Sequence, residues 1–151
     1  MPDHTAIMNA LALSSASTAR ERTIDITTTG ARSGAPRRIE IWFHHIRGHW
    51  YLSSTPARRN WYSNLIANPH FVFHLKNGPH ADLRATAVPI TDPAHKRPVI
   101  EYIVEDLNQP RNAANVHQPQ HVEDWMTGSP LVEILFTDFP TSSQPADAKK
   151  P

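Results

Sequence analysis

The sequence predicts an α+β fold, mainly an antiparallel β-barrel of about six strands with a few flanking helices. Six short segments alternate apolar and polar residues or are continuously apolar, as is typical of strands. Turn signals rich in Gly, Pro and Asn separate most of them, and only a few stretches have apolar residues at helical spacing. Closure of the strands into a barrel would bury their apolar faces and leave no exposed edge.

The predicted strands follow in chain order. Residues 23–29 alternate and are rich in β-branched side chains, and residues 37–46 alternate with Ile39, Ile41 and Phe43 on one face. Short connections join the first three strands, which predicts an antiparallel meander. The other predicted strands are residues 49–53, 71–76, 81–90 and 131–136, with an Asn-Gly hairpin signal between the second and third of these four.

The helix predictions rest on caps and on apolar spacing. A helix is expected to begin at Pro56 with Thr55 as its N-cap, to place Trp61 and Leu65 on one face, and to end at Asn68 before a proline. The other predicted helices are residues 93–107 and 118–126, and residues 6–22 are expected to form a short helix or a loose arm.

The chain of 151 residues is long enough for one domain with a substantial core. We expect an N-terminal helix or arm over residues 1–22, a barrel domain over 23–139, and a disordered tail over 140–151. The absence of Cys excludes disulfides, thiol nucleophiles and thiolate metal sites. No apolar run approaches the roughly 18 residues of a membrane span, and there is no signal-peptide pattern. The expected location is therefore the cytoplasm.

The arginines are concentrated in one part of the chain. Residues 20–59 contain eight arginines, no lysine and three acidic residues, although the net charge of the whole chain is only +1. Guanidinium groups make forked contacts with phosphate and carboxylate oxygens, so this region predicts a basic face for an anionic ligand. A solvated basic face is the alternative. No nucleic-acid-binding module is present, and nucleic acid is not an expected partner. The eight are Arg20, Arg22, Arg32, Arg37, Arg38, Arg47, Arg58 and Arg59.

Two segments combine a chain-reversal signal with these arginines. The loop from Gly30 to Pro36 lies between two strands and can offer its backbone N–H groups to an oxyanion. The segment from Ser53 leads into the predicted helix, whose N-terminus would carry a partial positive charge. Arg58 and Arg59 in the first turns would oppose the helix dipole unless an anion docks there. The segments together predict two walls of one anion pocket, with a plain hairpin loop and solvent-exposed arginines as the alternatives.

These segments resemble two motifs of the deazaflavin (F420)-dependent nitroreductase family, the split β-barrel flavin/deazaflavin oxidoreductases. Residues 27–37 match a pattern similar to Thr-Thr-x-Gly-x-Arg/Lys-Ser-Gly-x-x-Arg. Residues 61–69 match Trp-Tyr-x-Asn-Leu/Val-x-x-Asn/Asp-Pro. The order and spacing of the matches extend over residues 23–90. The resemblance implies a split β-barrel that binds the deazaflavin of coenzyme F420 in a groove.

The resemblance also implies roles for particular residues. The phosphate and the acidic tail of the coenzyme would be held by Arg32, Ser33, Arg37 and Arg38. The residues near the deazaflavin ring would be Ser53 and Ser54. The wall beside them would be formed by Arg58 or Arg59, in place of a lysine that the family often carries, and supported by Trp61 and Asn64.

Three departures from the family pattern concern the ligand sites. Glu40 stands where members commonly have proline, and an acid there would repel a polyanion unless it pairs with an arginine. The loop at residues 54–57 is shorter than in many members. The tyrosine-rich substrate region of some members has no counterpart beyond Tyr102 and Trp125.

The function implied by the resemblance is transfer of a hydride from reduced F420 to a small, apolar or aromatic electrophile, namely a quinone, enone or nitro compound. The proton donor is open between a tyrosine, a histidine and water. Two alternatives use the same barrel: an FMN-dependent split-barrel reductase, and a non-catalytic binder of a flavin, haem-like or acyl ligand. Split barrels often pair across a sheet face, so a homodimer is also consistent with the resemblance.

The ten histidines do not predict a metal site. His44 and His45 are neighbours in a predicted strand and would point to opposite faces, so they cannot easily share a metal. His70 and His74 would share a face, but the sequence places no third ligand near them. We therefore expect no metal, and interpret the histidines as half-buried strand residues and surface residues.

Overall fold

A computed structural model describes residues 3–137, and its six antiparallel strands close into a barrel. The strands are β1 Thr23–Thr29, β2 Pro36–Ile46, β3 His49–Ser53, β4 His70–Leu75, β5 Ala81–Pro89 and β6 Leu131–Phe136. Their order around the barrel is β1-β2-β3-β6-β5-β4, and β4 pairs with β1 to close the ring. The predicted α+β fold with six antiparallel strands is confirmed. The predicted disordered tail at 140–151 lies outside the described residues.

Five α-helices and one short 3-10 helix flank the barrel within residues 3–137. The α-helices are α1 His4–Leu11, α2 Ala19–Arg22, α3 Asn60–Ala67, α4 Pro93–Leu107 and α5 Val122–Gly128, and the 3-10 helix is Pro110–Asn112. The strands do not form a simple meander, because the last strand, β6, inserts between β3 and β5. The helices α4 and α5 lie in the long connection between β5 and β6.

The segment predicted as a short helix or loose arm is packed onto the barrel. Ile7 and Leu11 of α1 belong to the barrel core, and the Trp50 indole N–H donates to the Leu11 carbonyl over 2.9 Å. Arg22 ends α2 in a buried ion pair with Asp106 of α4. This pair removes one of the eight arginines from the predicted basic face.

The core has two parts, one inside the barrel and one between the barrel and the helices α4 and α5. The interior contains edge-to-face aromatic pairs, for example Phe43 and Phe73 with ring centroids 5.1 Å apart. The main interior residues are Ile24, Ile26, Phe43, Leu52, Phe73, Leu83 and Ile134. The second part includes Ile46, Tyr51, Ile100, Ile103, Leu107, Trp125 and Leu131.

The helix predicted to begin at Pro56 begins four residues later, at Asn60, so the prediction of its start is wrong. A tertiary contact holds the preceding segment as a loop: the Ala57 N–H donates to the Gly128 carbonyl over 3.1 Å. The Arg59 guanidinium also donates to the Thr55 carbonyl over 2.7 Å. These bonds occupy groups that a helical turn would otherwise use, and Arg59 becomes the N-cap residue.

The predicted apolar face of β2 is only partly buried. Phe43 is fully buried, whereas Ile39 is 37% exposed because the first half of the strand extends beyond the barrel interior. This exposed half carries Arg37 and Ile39 into the site described next.

Candidate functional site

The two arginine-bearing segments meet in one groove of about 560 Å³, between the β1–β2 loop and the start of α3. Of the residues that the structure describes, three arginines line it, Arg32, Arg37 and Arg58, and no acidic residue does. None of the three forms a hydrogen bond or ion pair with another residue within 3–137. We call this surface the basic groove. Its lining residues are Thr28, Gly30, Ala31, Arg32, Ser33, Arg37, Ile39, Arg58, Asn60, Trp61, Ser63 and Asn64.

The β1–β2 loop is a tight turn that glycine makes possible. The Gly30 N–H donates to the Ala35 carbonyl over 2.8 Å, and the Gly34 N–H donates to the Gly30 carbonyl over 3.0 Å. Gly34 has a φ of +71°, a conformation that side chains rarely adopt. A Cβ on Gly30 would lie 2.6 Å from the Ser33 hydroxyl, which accepts a bond from the Ala35 N–H. The sequence-predicted loop therefore has a defined shape even though its side chains are exposed.

Asn64 fastens this loop to α3. Its Oδ1 accepts a hydrogen bond from the Ala31 N–H over 2.9 Å, and its Nδ2 donates to Thr28 Oγ1 over 3.1 Å. The side chain is buried. Asn64 thus positions the loop and the helix relative to each other.

The start of α3 adds positive potential to the basic groove. Arg59 is the N-cap residue, and it makes no side-chain hydrogen bond to the first turn. The first N–H groups of a helix have no partner in the helix, so an uncapped start attracts anions. Asn60, Trp61 and Ser63 of this turn line the groove. The Trp61 indole N–H donates to Ser54 Oγ over 3.0 Å, which fixes the buried ring.

The structure does not bring Arg38 to the basic groove. Adjacent residues of a strand point to opposite faces, and Arg38 lies on the face away from Arg37, where its Nε donates to Asp25 Oδ2 over 2.9 Å. Glu40 shares that face and pairs with Lys76. The predicted repulsion between Glu40 and an anionic ligand is therefore relieved by a lysine and not by an arginine.

Arg59 and Ser53 also lie outside the basic groove. The Arg59 guanidinium folds back onto Thr55, donating to its carbonyl and its hydroxyl over 2.7 Å each. Ser53 is buried, and its hydroxyl donates to the Pro130 carbonyl over 2.6 Å. Both side chains shape the connection between β3 and α3. Of the predicted site residues, the groove therefore gathers Arg32, Ser33, Arg37, Arg58, Trp61 and Asn64.

A second cavity, of about 290 Å³, is lined by Ser54, whose hydroxyl accepts the hydrogen bond from Trp61 of the groove. Two indole rings line it, from Trp42 and Trp125, and we call it the tryptophan pocket. The Trp125 N–H donates to Gln120 Oε1 over 2.9 Å, and the Arg22 guanidinium lies 5.7 Å from the centre of the Trp42 ring. The lining residues are Ile41, Trp42, His44, Ser53, Ser54, Thr55, Leu107, Asn115, Val116, His117, Gln120 and Trp125.

Most of the tryptophan pocket was not predicted from the sequence. Trp125 was one of two aromatic candidates for a substrate region, and the other, Tyr102, is 41% exposed on α4 and does not line the pocket. The alternation of β2 places Trp42 and His44 on one face, opposite Phe43, and that pattern was available in the sequence. The segment at residues 115–120 carried no such signal.

His44 is the buried titratable group of this pocket. It is 6% exposed, and burial lowers its pKa to about 3, with a further contribution from the positive charge of Arg22. The ring is therefore neutral at physiological pH. Its neighbour His45 faces elsewhere and stacks on Trp50 with ring centroids 4.6 Å apart.

Among residues 3–137, no group of three His, Cys, Asp or Glu side chains is placed to hold a metal ion. No helix in this range is both long and apolar enough to cross a membrane.

The fold defines the class of protein. A conserved hypothetical protein from Mycobacterium tuberculosis is similar with a TM-score of 0.58 and 19% identity, covering 90% of this chain and 81% of that one. A protein described as an F420 reductase has a TM-score of 0.53 and 15% identity, covering 77% of this chain and 87% of that one. An F420-H2 dependent reductase has a TM-score of 0.50 and 21% identity, covering 75% of this chain and 93% of that one. At these identities the likeness concerns the fold, and the chain is a split β-barrel.

The family follows from the sequence. The model of the family described as F420H(2)-dependent quinone reductase matches residues 11–114, and the chain belongs to that family. It is therefore an F420-dependent oxidoreductase, and F420 is its cofactor. The family description gives no support to the FMN alternative. No curated protein sequence matches the chain.

Proposed function

We propose that the chain transfers a hydride from reduced F420 to a small, apolar or aromatic electrophile. Quinones are the class of acceptor that we expect to react fastest. The observation that supports this most is the presence of two unlike cavities whose walls are linked by a hydrogen bond. The basic groove suits the anionic end of a large ligand, and the tryptophan pocket suits an apolar ring. The hydrogen bond between Trp61 and Ser54 joins their walls.

The residues of the basic groove fit the anionic part of F420. Arg32, Arg37 and Arg58 have no protein partner within the described chain, and the uncapped start of α3 lies beside them. Guanidinium groups and free N–H donors are the groups that bind phosphate and carboxylate oxygens. They would hold the phosphate and the acidic tail, with Ser33 as a further hydroxyl contact.

The remaining residues orient the reactants and exclude water. Ser54 lines the tryptophan pocket, and its hydroxyl accepts a hydrogen bond from the buried Trp61, which lines the groove. Reduced F420, when bound, supplies the hydride. A quinone held between the indole rings of Trp42 and Trp125 would become a hydroquinone by gaining that hydride, with its electron pair, and one proton from solvent. Such a reaction requires no protein nucleophile.

Fluorescence titration of the protein with F420 tests the groove. Arg37→Ala should weaken binding by about 1–3 kcal/mol, because a charged hydrogen bond is lost. Arg38→Ala is the matched control, since the adjacent side chain faces Asp25, and its affinity should stay close to that of the wild type. Equal losses in both variants would contradict the placement of the anion, and no binding at micromolar protein would contradict the proposal.

Turnover tests the acceptor. Oxidation of reduced F420 is followed by absorbance with a quinone, an enone and a nitroaromatic compound at equal concentrations. We expect the quinone to react fastest. Tight binding of F420 without oxidation by any of the three would contradict hydride transfer and favour a non-catalytic binder.

A further inference from the structure

Among the polar side chains that line the tryptophan pocket, His44 is buried without a protein hydrogen bond within residues 3–137, whereas Asn115 and His117 are exposed. The hydroxyl of Ser53 donates to the Pro130 carbonyl, and Gln120 accepts a bond from Trp125 and donates to the His117 carbonyl. The His44 ring lines the same cavity, is 94% buried, and makes no hydrogen bond to any residue within 3–137. A neutral imidazole has one donor and one acceptor nitrogen. His44 therefore offers both to whatever occupies the pocket.

The ring nitrogens of His44 are not sealed inside the protein. Within residues 3–137 the fully enclosed side-chain polar atom without a hydrogen bond is Ser129 Oγ, so the His44 nitrogens keep accessible surface, and the residue lines the cavity. The apolar residues Ile41, Leu107 and Val116 line the same cavity and offer no hydrogen-bonding side chain to the ring. The arrangement points to a ligand atom as the missing partner.

We propose that His44 is a specificity-determining residue for the electron acceptor, and that its ring N–H donates to a neutral oxygen of a single-ring quinone. This inference rests on the proposed function, because it assigns the acceptor to the tryptophan pocket. The volume of about 290 Å³ is at the lower end of ligand pockets and accommodates one ring. The indole rings of Trp42 and Trp125 provide flat apolar walls for it.

The neutrality of His44 decides which oxygen it selects. Burial keeps the pKa of the ring near 3, so the ring brings a hydrogen-bond donor without a charge. No lysine or arginine of residues 3–137 lines the pocket, and the nearby Arg22 is paired with Asp106, so a carboxylate would enter without a free cation to pair with, whereas a carbonyl oxygen needs only a donor. During reduction the hydride and its electron pair go to the quinone, the proton comes from solvent, and His44 keeps its own proton. His44 thus positions the acceptor and is not the acid.

Binding of hydroquinone and toluene to the protein without coenzyme tests the inference. Hydroquinone carries the oxygens of the reduced product, and toluene is an apolar ring without them. Both are titrated by NMR while the indole N–H resonances are followed. His44→Phe should weaken hydroquinone binding roughly fivefold to tenfold and leave toluene binding unchanged. His44→Gln retains an N–H donor and should recover part of the affinity.

Two controls separate this role from a structural one. His45→Phe alters the next residue, which stacks on Trp50 outside the pocket, and should bind hydroquinone like the wild type. The melting temperature of His44→Phe should not fall, since no protein hydrogen bond is lost. Equal losses for hydroquinone and toluene, or a lower melting temperature, would overturn the proposal in favour of a packing role.

Two further outcomes distinguish His44 from the function on which it rests. Weaker F420 binding in His44→Phe with unchanged hydroquinone binding would overturn the proposal and make His44 a coenzyme contact. If the wild type oxidises no reduced F420 with any acceptor, the proposed function fails. The assignment of His44 to an oxygen-bearing ring still stands if the difference between hydroquinone and toluene is observed.

Discussion

Acidification from pH 7.5 to pH 5 should destabilise the fold, with His44 as the main contributor. His44 is buried, lines the tryptophan pocket and lies in the field of the Arg22–Asp106 pair. Burial is the main reason that its pKa falls from 6.5 to about 3, and the charge of Arg22 lowers it further. The perturbation is protonation of this ring, which is less favourable in the folded state than in the unfolded chain.

The sign follows from the two pKa values. Because the folded pKa is the lower one, the unfolded chain binds the proton more readily between pH 6.5 and 3. Stability is therefore complete above pH 6.5 and falls as the pH drops toward 3. The slope in this window is about 1.4 kcal/mol per pH unit, so the step from pH 7.5 to 5 removes about 2 kcal/mol. His45, whose pKa is also lowered by burial, adds a contribution of the same sign.

Urea unfolding at pH 7.5, 6.5, 5.5 and 5.0 measures this effect, with the fraction folded followed by circular dichroism. The comparison is between the wild type and His44→Phe, because the contribution of His45 is present in both and cancels. From pH 7.5 to pH 5.0 the free energy of unfolding of the variant should fall by about 2 kcal/mol less than that of the wild type. Identical pH dependence of the two proteins would refute the assignment of a buried neutral ring to His44.

Two further predictions concern the loop and the buried ion pair. Gly30→Ala should lower the free energy of unfolding, measured with urea, by about 1 kcal/mol, because the new Cβ displaces the Ser33 hydroxyl and breaks its hydrogen bond. If the same loss is found when Gly30→Ala is made in a Ser33→Ala background, displacement of the hydroxyl is not the cause. Asp106→Ala should cost about 3–5 kcal/mol because Arg22 is left buried and unpaired. Arg111→Ala, which removes the exposed partner of Asp106, should lower the free energy of unfolding by less than about 1 kcal/mol. Equal losses in Asp106→Ala and Arg111→Ala would contradict the explanation that burial of Arg22 makes its ion pair the more important one.

Elements governed by local sequence could be predicted well. The alternation of residues 23–29 forms β1 with its apolar residues inward, and the helical spacing of 93–107 forms α4. The start of α3 could not be predicted in the same way. Pro56 is a good first residue for a helix, but Gly128, more than 70 residues away, binds the adjacent Ala57 N–H and holds the segment as a loop.

The basic groove was partly predictable, because its two walls have recognisable motifs. The sequence placed Arg37 and Arg38 together as anion ligands, whereas the strand turns them to opposite faces and Asp25 pairs with Arg38. The role of Arg58 depended on the loop before α3, which leaves its side chain without a partner within residues 3–137. The groove therefore has fewer arginines than the sequence suggested, and no residue within 3–137 neutralises those three.

The sequence alone determined the six strands, the glycine loop and the resemblance to deazaflavin-dependent enzymes, because each depends on residues close together in the chain. The tertiary structure decided which charges are free and which groups face a ligand. Arg22 is neutralised by Asp106, and Trp42 and Trp125 line one cavity only because the barrel closes and the helices pack against it. Hydrogen bonds and ion pairs act over a few ångströms in space whatever the separation in sequence, so the ligand-facing groups emerge only when the chain is folded.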